Sequence, residues 1–188
     1  MKKILIFASG SGTNAQNIIE YFNELVEINV SLVFSNNKDA KVLDRAKNLG
    51  VDTVVFTRED LYQNRKVIEM LANEQPDLIV LAGFLWLIPS SIIKKFPNKI
   101  VNIHPALLPK YGGKGMYGMH VHRAVIDNKE TESGITIHFV NEEYDAGDII
   151  FQATCPVEKD DTPDLLAQRI HKLEHEHFPK VIEKVLDS

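Results

Sequence analysis

"KILIFASGSGTNAQNIIEYFNEL", residues 3 to 25, is the stretch on which the fold turns. Residues 3–8 form a short apolar run, which reads as a buried strand. Gly10 and Gly12 interrupt it. From Thr13 onward, Ile18, Ile19, Phe22 and Leu25 recur at helical spacing on one face. Strand, glycine turn and amphipathic helix together make the opening unit of an alternating α/β sheet.

The same alternation repeats downstream. "NVSLVFS" (29–35), "DTVVF" (52–56), "DLIVLAG" (77–83) and "KIVNIHP" (99–105) read as strands. Helical patterns over 40–50, 58–75 and 89–96 separate them. After residue 105 the rhythm changes. A glycine-rich irregular segment leads to a helical "HVHRAVID" (120–127). Two strand patterns close in sequence follow, "GITIHFVNEE" and "DIIFQATCPV", which predict an antiparallel edge. A long helix, 162–187, ends the chain. The pattern predicts a Rossmann-like, mostly parallel sheet with an antiparallel C-terminal edge. The 188 residues are expected to form one domain, with no boundary visible in the pattern.

Composition narrows the function classes. A formal net charge of −5 argues against a nucleic-acid surface. The single cysteine, Cys155, excludes an intrachain disulfide and lies in an apolar alternating run, as a core residue does. The N-terminal run breaks at "SGSG" and reads as a strand, not a signal peptide. No run approaches the ~18 apolar residues of a membrane span. A cytoplasmic protein is the default expectation.

Three stretches carry chemistry. In "ASGSGTN" (8–14), Gly10, Ser11 and Gly12 make a tight turn at the C-terminal end of a parallel strand. The helix opening at Thr13 and Asn14 adds partial positive charge, so one phosphate fits there; Thr13 and Asn14 can cap the helix or donate to it. Ala15 replaces the third glycine of a dinucleotide fingerprint, and no Gly-Lys-Ser/Thr follows, so a P-loop is absent. In "VNIHP", Asn102 and His104 share one face at a strand end, while Val101 and Ile103 face the core. An amide and an imidazole there suit a developing oxyanion. In "HFVNEEYDAGDII", Asp145 precedes a turn that can bring its carboxylate to the imidazole. Glu142, Glu143 and Asp148 read as solvent-exposed. His138 is either a pocket wall or a satisfied edge histidine. A His104, His120 and His122 metal site is disfavoured, because i,i+2 side chains diverge on a helix. His171, His175 and His177, with Glu174 and Glu176, read mostly as a solvated helix face.

The chain resembles the folate-dependent formyltransferases, and within them the phosphoribosylglycinamide formyltransferase branch. "SGSGTN", "LAGFLWLIP", "VNIHPALLPKY", "GITIHFVNEEYDAGDII" and "LEHEHFP" occur in family order over almost the whole chain. The resemblance implies the Rossmann-like formyltransferase fold, with a nucleotide-binding half over 1–100 and a catalytic and folate-binding half over 101–188, and formyl transfer from 10-formyltetrahydrofolate to glycinamide ribonucleotide in de novo purine biosynthesis. It implies no metal, no nucleic-acid or membrane partner, and a monomer or homodimer. It assigns catalysis to Asn102, His104 and Asp145. Gly10, Ser11, Gly12, Thr13, Asn14 and Glu174 would contact the nucleotide. Leu85, Trp86, Leu87, His138, Val140, Asn141 and Tyr144 would wall the pterin site. Two departures stand out. Trp86 replaces an arginine that many members carry, and "GGKGMYGM" lengthens the link after "LLPKY". Lys110, Lys114 and Tyr117 in or near that link can reach an anionic ligand or lie in solvent. A methionyl-tRNA formyltransferase would need a further basic C-terminal domain. A formyltetrahydrofolate hydrolase would carry an N-terminal regulatory domain. A non-catalytic binding protein would not need Asn102, His104 and Asp145.

Overall fold

A computed structural model describes residues 1–188. Seven strands form one sheet in the order β3-β2-β1-β4-β5-β6-β7. They are β1 (Lys2–Phe7), β2 (Ile28–Ser35), β3 (Asp52–Val55), β4 (Leu78–Leu81), β5 (Ile100–His104), β6 (Glu132–Phe139) and β7 (Ile149–Pro156). The first five are mutually parallel, and β6 and β7 are antiparallel to their neighbours. The sheet is therefore the mostly parallel one with an antiparallel C-terminal edge that the alternation predicts. Between β1 and β4 the strand order reverses, which opens a crevice beyond the carboxyl ends of the strands.

Alternating strand residues feed two cores. Ile4, Ile6, Val80 and Val101 join α1 (Thr13–Asn23), α2 (Lys41–Asn48), α6 (Met119–Asp127) and α7 (Pro163–Asp187) in one cluster. Leu5, Phe7, Ile79 and Ile100 join α3 (Arg58–Tyr62), α4 (Lys66–Glu74) and α5 (Ser90–Lys95) on the opposite face. Strands covered on both faces need the near-continuous apolar runs this sequence has. Cys155 is buried in the first cluster.

One expectation is corrected. The pattern over 58–75 predicts one helix, but the structure has two, broken at 63–65. Thr57 and Asp60 form a capping box that starts α3. The Asn64 amide donates to Asp60 Oδ1 at 3.0 Å, and its carbonyl oxygen accepts from the Lys66 backbone N–H at 3.1 Å. Arg65 then takes a left-handed φ of 63°. A local side-chain bond has outcompeted the helix ladder.

The long α7 contains Pro179, whose missing N–H frees the carbonyl one turn back. That carbonyl, of His175, accepts from Asn17 Nδ2 on α1 at 2.9 Å. This bond helps hold the start of α1 beside α7 at the mouth of the crevice. No helix is long and apolar enough to cross a membrane.

Candidate active site

A cleft of ≈ 630 Å³ opens at the carboxyl ends of β1, β4 and β5. That is a normal size for a small-molecule site. One end is the first turn. Gly12 is the N-cap of α1 with φ 75°, and no side chain caps the helix. Thr13 and Asn14 therefore do not cap it, contrary to one expectation, and the first-turn N–H groups stay open to an anion. Asn14 instead donates from Nδ2 to Glu174 Oε2 on α7 at 2.9 Å. Gly12 has no room for a side chain, because a Cβ there would collide with Val42. The turn is held from outside by Arg45, whose Nε donates to the Ser11 carbonyl at 2.9 Å.

The other end is the edge of β5. Asn102 pairs in register with His138 across the antiparallel ladder, and His104 with Thr136. These side chains sit on one face, as the two-residue period requires. His104 is buried, 3% exposed. Its Nε2–H donates to the Tyr111 carbonyl at 2.7 Å, so Nδ1 is the nitrogen facing Asp145 Oδ2, 3.5 Å away. His138 Nδ1–H donates to the Phe139 carbonyl at 2.8 Å, leaving Nε2 to accept from Asn102 Nδ2 at 3.1 Å. His138 is thus a pocket wall that also fixes Asn102.

Asp145 is pulled into this group by the turn after β6. Its φ is 55°, a left-handed geometry that aspartate tolerates better than most residues. The Gly113 backbone N–H donates to Asp145 Oδ2 at 2.9 Å. Asn102 Nδ2 lies 3.5 Å from Oδ1, and His138 Nε2 lies 3.7 Å from it. Burial alone would push the Asp145 carboxyl up. The His138 imidazole, the His104 ring and the Gly113 N–H outweigh it and hold the carboxyl below its ordinary value. Burial pushes the His104 imidazole below its ordinary value, with Asp145 and the Tyr111 carbonyl opposing the shift.

The wall between the two ends is aromatic and apolar. Leu85, Trp86, Leu87, His138, Val140 and Tyr144 line the cleft, all expected to do so. Asn141 does not line it. Its Oδ1 accepts from the Glu143 backbone N–H at 2.9 Å and closes the turn instead. Trp86 is half-buried, packs edge-on against Phe56, and carries the Arg58 guanidinium 5.6 Å from its ring centroid. Glu142, Glu143 and Asp148 are exposed, although Glu143 reaches the cleft rim.

The glycine-rich insert lines the cleft from Gly113 to Met119. Gly113, Gly115 and Gly118 all have positive φ. Lys114 faces the cleft, whereas Lys110 is paired with Glu130 at 3.0 Å. Tyr117 lies at the cleft edge, packed against His120. The backbone of 111–113 reaches both His104 and Asp145, a role that no residue type in the sequence signals.

The α7 cluster is the second correction. Charge density predicts a mostly solvated face, yet Glu174 is only 5% exposed. Its Oε2 accepts from Asn14 and from His171 Nδ1–H, both at 2.9 Å. That bond to Glu174 raises the His171 imidazole above its ordinary value, against the effect of burial. His175 is exposed and His177 packs against Phe151, so they stay outside the cleft. His122, unused in the sequence reading except as a disfavoured metal ligand, is buried in the cleft wall on α6, while His120 points outward and is exposed.

A switch-point cleft with an open helix start at one end and an Asn–His–Asp group around a buried imidazole at the other defines a small-molecule group-transfer site on an α/β sheet. Residues 2–182 match the formyl transferase family, and the chain belongs to that family. The protein is 39% identical over its full length to the chloroplastic phosphoribosylglycinamide formyltransferase of Arabidopsis thaliana, of which it covers 66%. It is 35% identical to the phosphoribosylglycinamide formyltransferase of Escherichia coli over 98% of this chain and 87% of that protein. The chain spans about two thirds of the length of the plant relatives it matches. Its fold superposes on glycinamide ribonucleotide transformylase 1 from Symbiobacterium toebii with a TM-score of 0.90 at 34% identity, covering 100% of this chain and 88% of that one. The corresponding Geobacillus kaustophilus structure gives 0.89 at 34% identity, over 99% of each chain.

The buried imidazoles predict a pH-dependent stability. Burial pushes His122 down to about 4, with Glu174 opposing and His171 and His104 adding to the shift. The unfolded chain binds that proton near pH 6.5, so between pH 6.5 and 4 the unfolded state holds more protons. Stability therefore falls as pH drops through that window, by about 3 kcal/mol from this group. Denaturant titrations from pH 7 to pH 4 should show the loss, and His122→Phe should flatten it. An equally steep profile in the variant would show that His122 is not held neutral.

Proposed function

We propose that this chain transfers the formyl group of 10-formyltetrahydrofolate to the primary amine of glycinamide ribonucleotide, giving formylglycinamide ribonucleotide in de novo purine biosynthesis. One observation carries the reading. A single cleft joins an uncapped helix start suited to a phosphate with an Asn102–His104–Asp145 group, its imidazole buried, suited to acyl transfer. The names of the relatives point the same way.

In this reading the phosphate lies on the N–H groups from Gly12 to Asn14. The donor's pterin lies along Leu85–Leu87, Val140 and Tyr144, where Trp86 offers a flat face. The amine attacks the formyl carbon. Asn102 has spent one amide hydrogen on His138, and the other makes only the 3.5 Å contact to Asp145, so it is free to donate to the oxyanion. Neutral His104 takes the ammonium proton at Nδ1 and returns it to the departing folate nitrogen as the carbon–nitrogen bond breaks. While protonated, both its N–H groups have acceptors in place, Tyr111 O and Asp145 Oδ2.

The direct test is an assay of formyl transfer with both substrates. Wild-type inactivity would sink the reading. A second test targets the turn. Glycinamide ribonucleotide should raise Tm of the wild-type protein. In Gly12→Ala, the αL strain and the collision with Val42 should lower stability by roughly 1–3 kcal/mol and abolish that rise. A rise of the same size in the variant would remove the phosphate from the turn.

A further inference from the structure

Beyond Leu108 the chain leaves the sheet, and one carboxylate outside the cleft holds it. Leu108 itself is fixed: its N–H donates to Thr136 Oγ1 at 3.0 Å and its carbonyl accepts from Gln152 Nε2 at 3.1 Å. From Pro109 to Met116, only four groups hydrogen-bond to the rest of the chain. Two are the Tyr111 carbonyl on His104 and the Gly113 N–H on Asp145. The other two are the Lys110 ammonium and the Tyr111 hydroxyl, and both go to Glu130. Glu130 lies in the turn between α6 and β6 and does not line the cleft.

Tyr111 is the joint of this arrangement. Its φ is 57°, a left-handed geometry that an aromatic residue rarely adopts, so its surroundings must hold it there. Its ring packs against the first core cluster, and its hydroxyl donates to Glu130 Oε1 at 2.8 Å. Lys110 Nζ donates to both oxygens of the same carboxylate, at 3.0 and 3.2 Å, and orients it. One residue separates the Tyr111 carbonyl from the Gly113 N–H, so a shift of Tyr111 moves both catalytic contacts together. The fit is close on that side: a Cβ added at Gly112 would stand 3.2 Å from the Asp145 Cβ. Burial and the bond to Glu130 push the Tyr111 phenol up to about 12, and the bonds from Lys110 and Tyr111 hold the Glu130 carboxyl below its ordinary value. Neither anchoring group changes its proton between about pH 5 and 9.

We propose that Glu130 is a positioning residue for the reaction: through the Tyr111 hydroxyl it fixes the 111–113 strap, and through that strap it holds His104 and Asp145 in place. It touches no substrate. It keeps the Tyr111 carbonyl on His104 Nε2–H and the Gly113 N–H on Asp145 Oδ2, the two backbone contacts that orient the base and its carboxylate. The kinetic consequence rests on the function proposed above.

The test compares Glu130→Ala, Glu130→Gln, Tyr111→Phe and the Tyr111→Phe/Glu130→Ala double variant with wild type. Glu130→Ala and Tyr111→Phe should each lower kcat about tenfold, less than the ~10²-fold that a 1 Å misplacement can cost. KM for either substrate should stay within about threefold. The double variant should be no worse than either single one, because both break the same link. Glu130→Gln, which still offers an oxygen to the hydroxyl, should recover much of the rate. The Tyr111 carbonyl favours the charged imidazole, so loosening it lowers the His104 pKa and moves the acid limb of kcat/KM downward. Asp145, His138 and Glu174 also act on His104, and the substitutions leave all three in place. Imidazole NMR of the free protein should show the same downward shift without any substrate. Tyr111→Phe keeps the ring in the core, so it tests the link even if Glu130→Ala fails to fold. A folded Tyr111→Phe protein with wild-type kcat, or with an unmoved His104 titration, overturns the proposal. So does a double variant whose losses multiply. Wild-type inactivity would count against the proposed function alone, and the NMR comparison would still decide the positioning.

Discussion

His104→Ala is expected to lower kcat by about 10²- to 10⁴-fold, the range that a positioned general base contributes. The KM for the nucleotide should stay within about threefold, because in the proposed reaction the imidazole acts on the reacting amine and not on the phosphate. The size of the effect follows from how the ring is held. Burial keeps the imidazole neutral and able to accept a proton at pH 7. Acceptors already stand at both nitrogens, so the cation formed in the reaction is stabilised without rearrangement. No neighbour replaces it: His138 has committed both nitrogens, to Phe139 and to Asn102. Single-turnover rates of tetrahydrofolate release, with circular dichroism as a folding control, would check this. A folded variant with unchanged kcat would remove His104 from the proton path.

How far these features could be read from residues alone depends on their range. The strands were visible because both faces of β1, β4 and β5 are covered, which forces continuous apolar runs. Asn102 and His104 were visible because a period of two places them together at a strand end. The helix break at Asn64 was not, since a polar residue in a helical pattern looks the same whether it faces water or bonds its own backbone. The burial of Glu174 is hidden for a similar reason, although the resemblance assigns that residue to the nucleotide. The stretch "HKLEHEH" looks solvated throughout, yet Asn14, 160 residues away, turns one carboxylate inward. The Tyr111 carbonyl and the Gly113 N–H left no trace at all, because backbone groups have no residue type. Asn141 shows the converse. The resemblance assigns the 138–145 segment to the pterin wall as a block, but the Asn141 side chain closes the turn through the Glu143 N–H and does not line the cleft.

These long-range bonds brace each end of the cleft. Asn14 links the first turn to α7, Asn17 links the next turn of α1 to the His175 carbonyl, and Gly113 links the insert to Asp145. In the proposed reaction these are the phosphate end and the reacting end, and the sheet that carries both β1 and β5 sets their separation, which is what orientation of two bound substrates requires.

Asp145→Asn should reduce kcat by about 10²- to 10³-fold while leaving the backbone in place. Asparagine accepts the left-handed φ of 55° as readily as aspartate, and its carbonyl oxygen can keep the Gly113 N–H. What disappears is the negative charge 3.5 Å from His104 Nδ1. At an effective dielectric near 20, a unit charge pair at that distance is worth roughly 4–5 kcal/mol, of which only the part not already present in the ground state reaches the rate. The amide also turns an N–H₂ toward Asn102 Nδ2, so two donors meet where donor and acceptor met before. The sign of the pH effect separates charge from shape. Asp145 favours the charged imidazole, so removing it lowers the His104 pKa further. The base then stays neutral to lower pH, and the acid limb of kcat/KM moves downward while the plateau falls. A plateau that falls with an unmoved acid limb would make Asp145 a purely geometric support for the 111–113 backbone. An upward shift would show that Asp145 does not favour the charged imidazole and would overturn its electrostatic role.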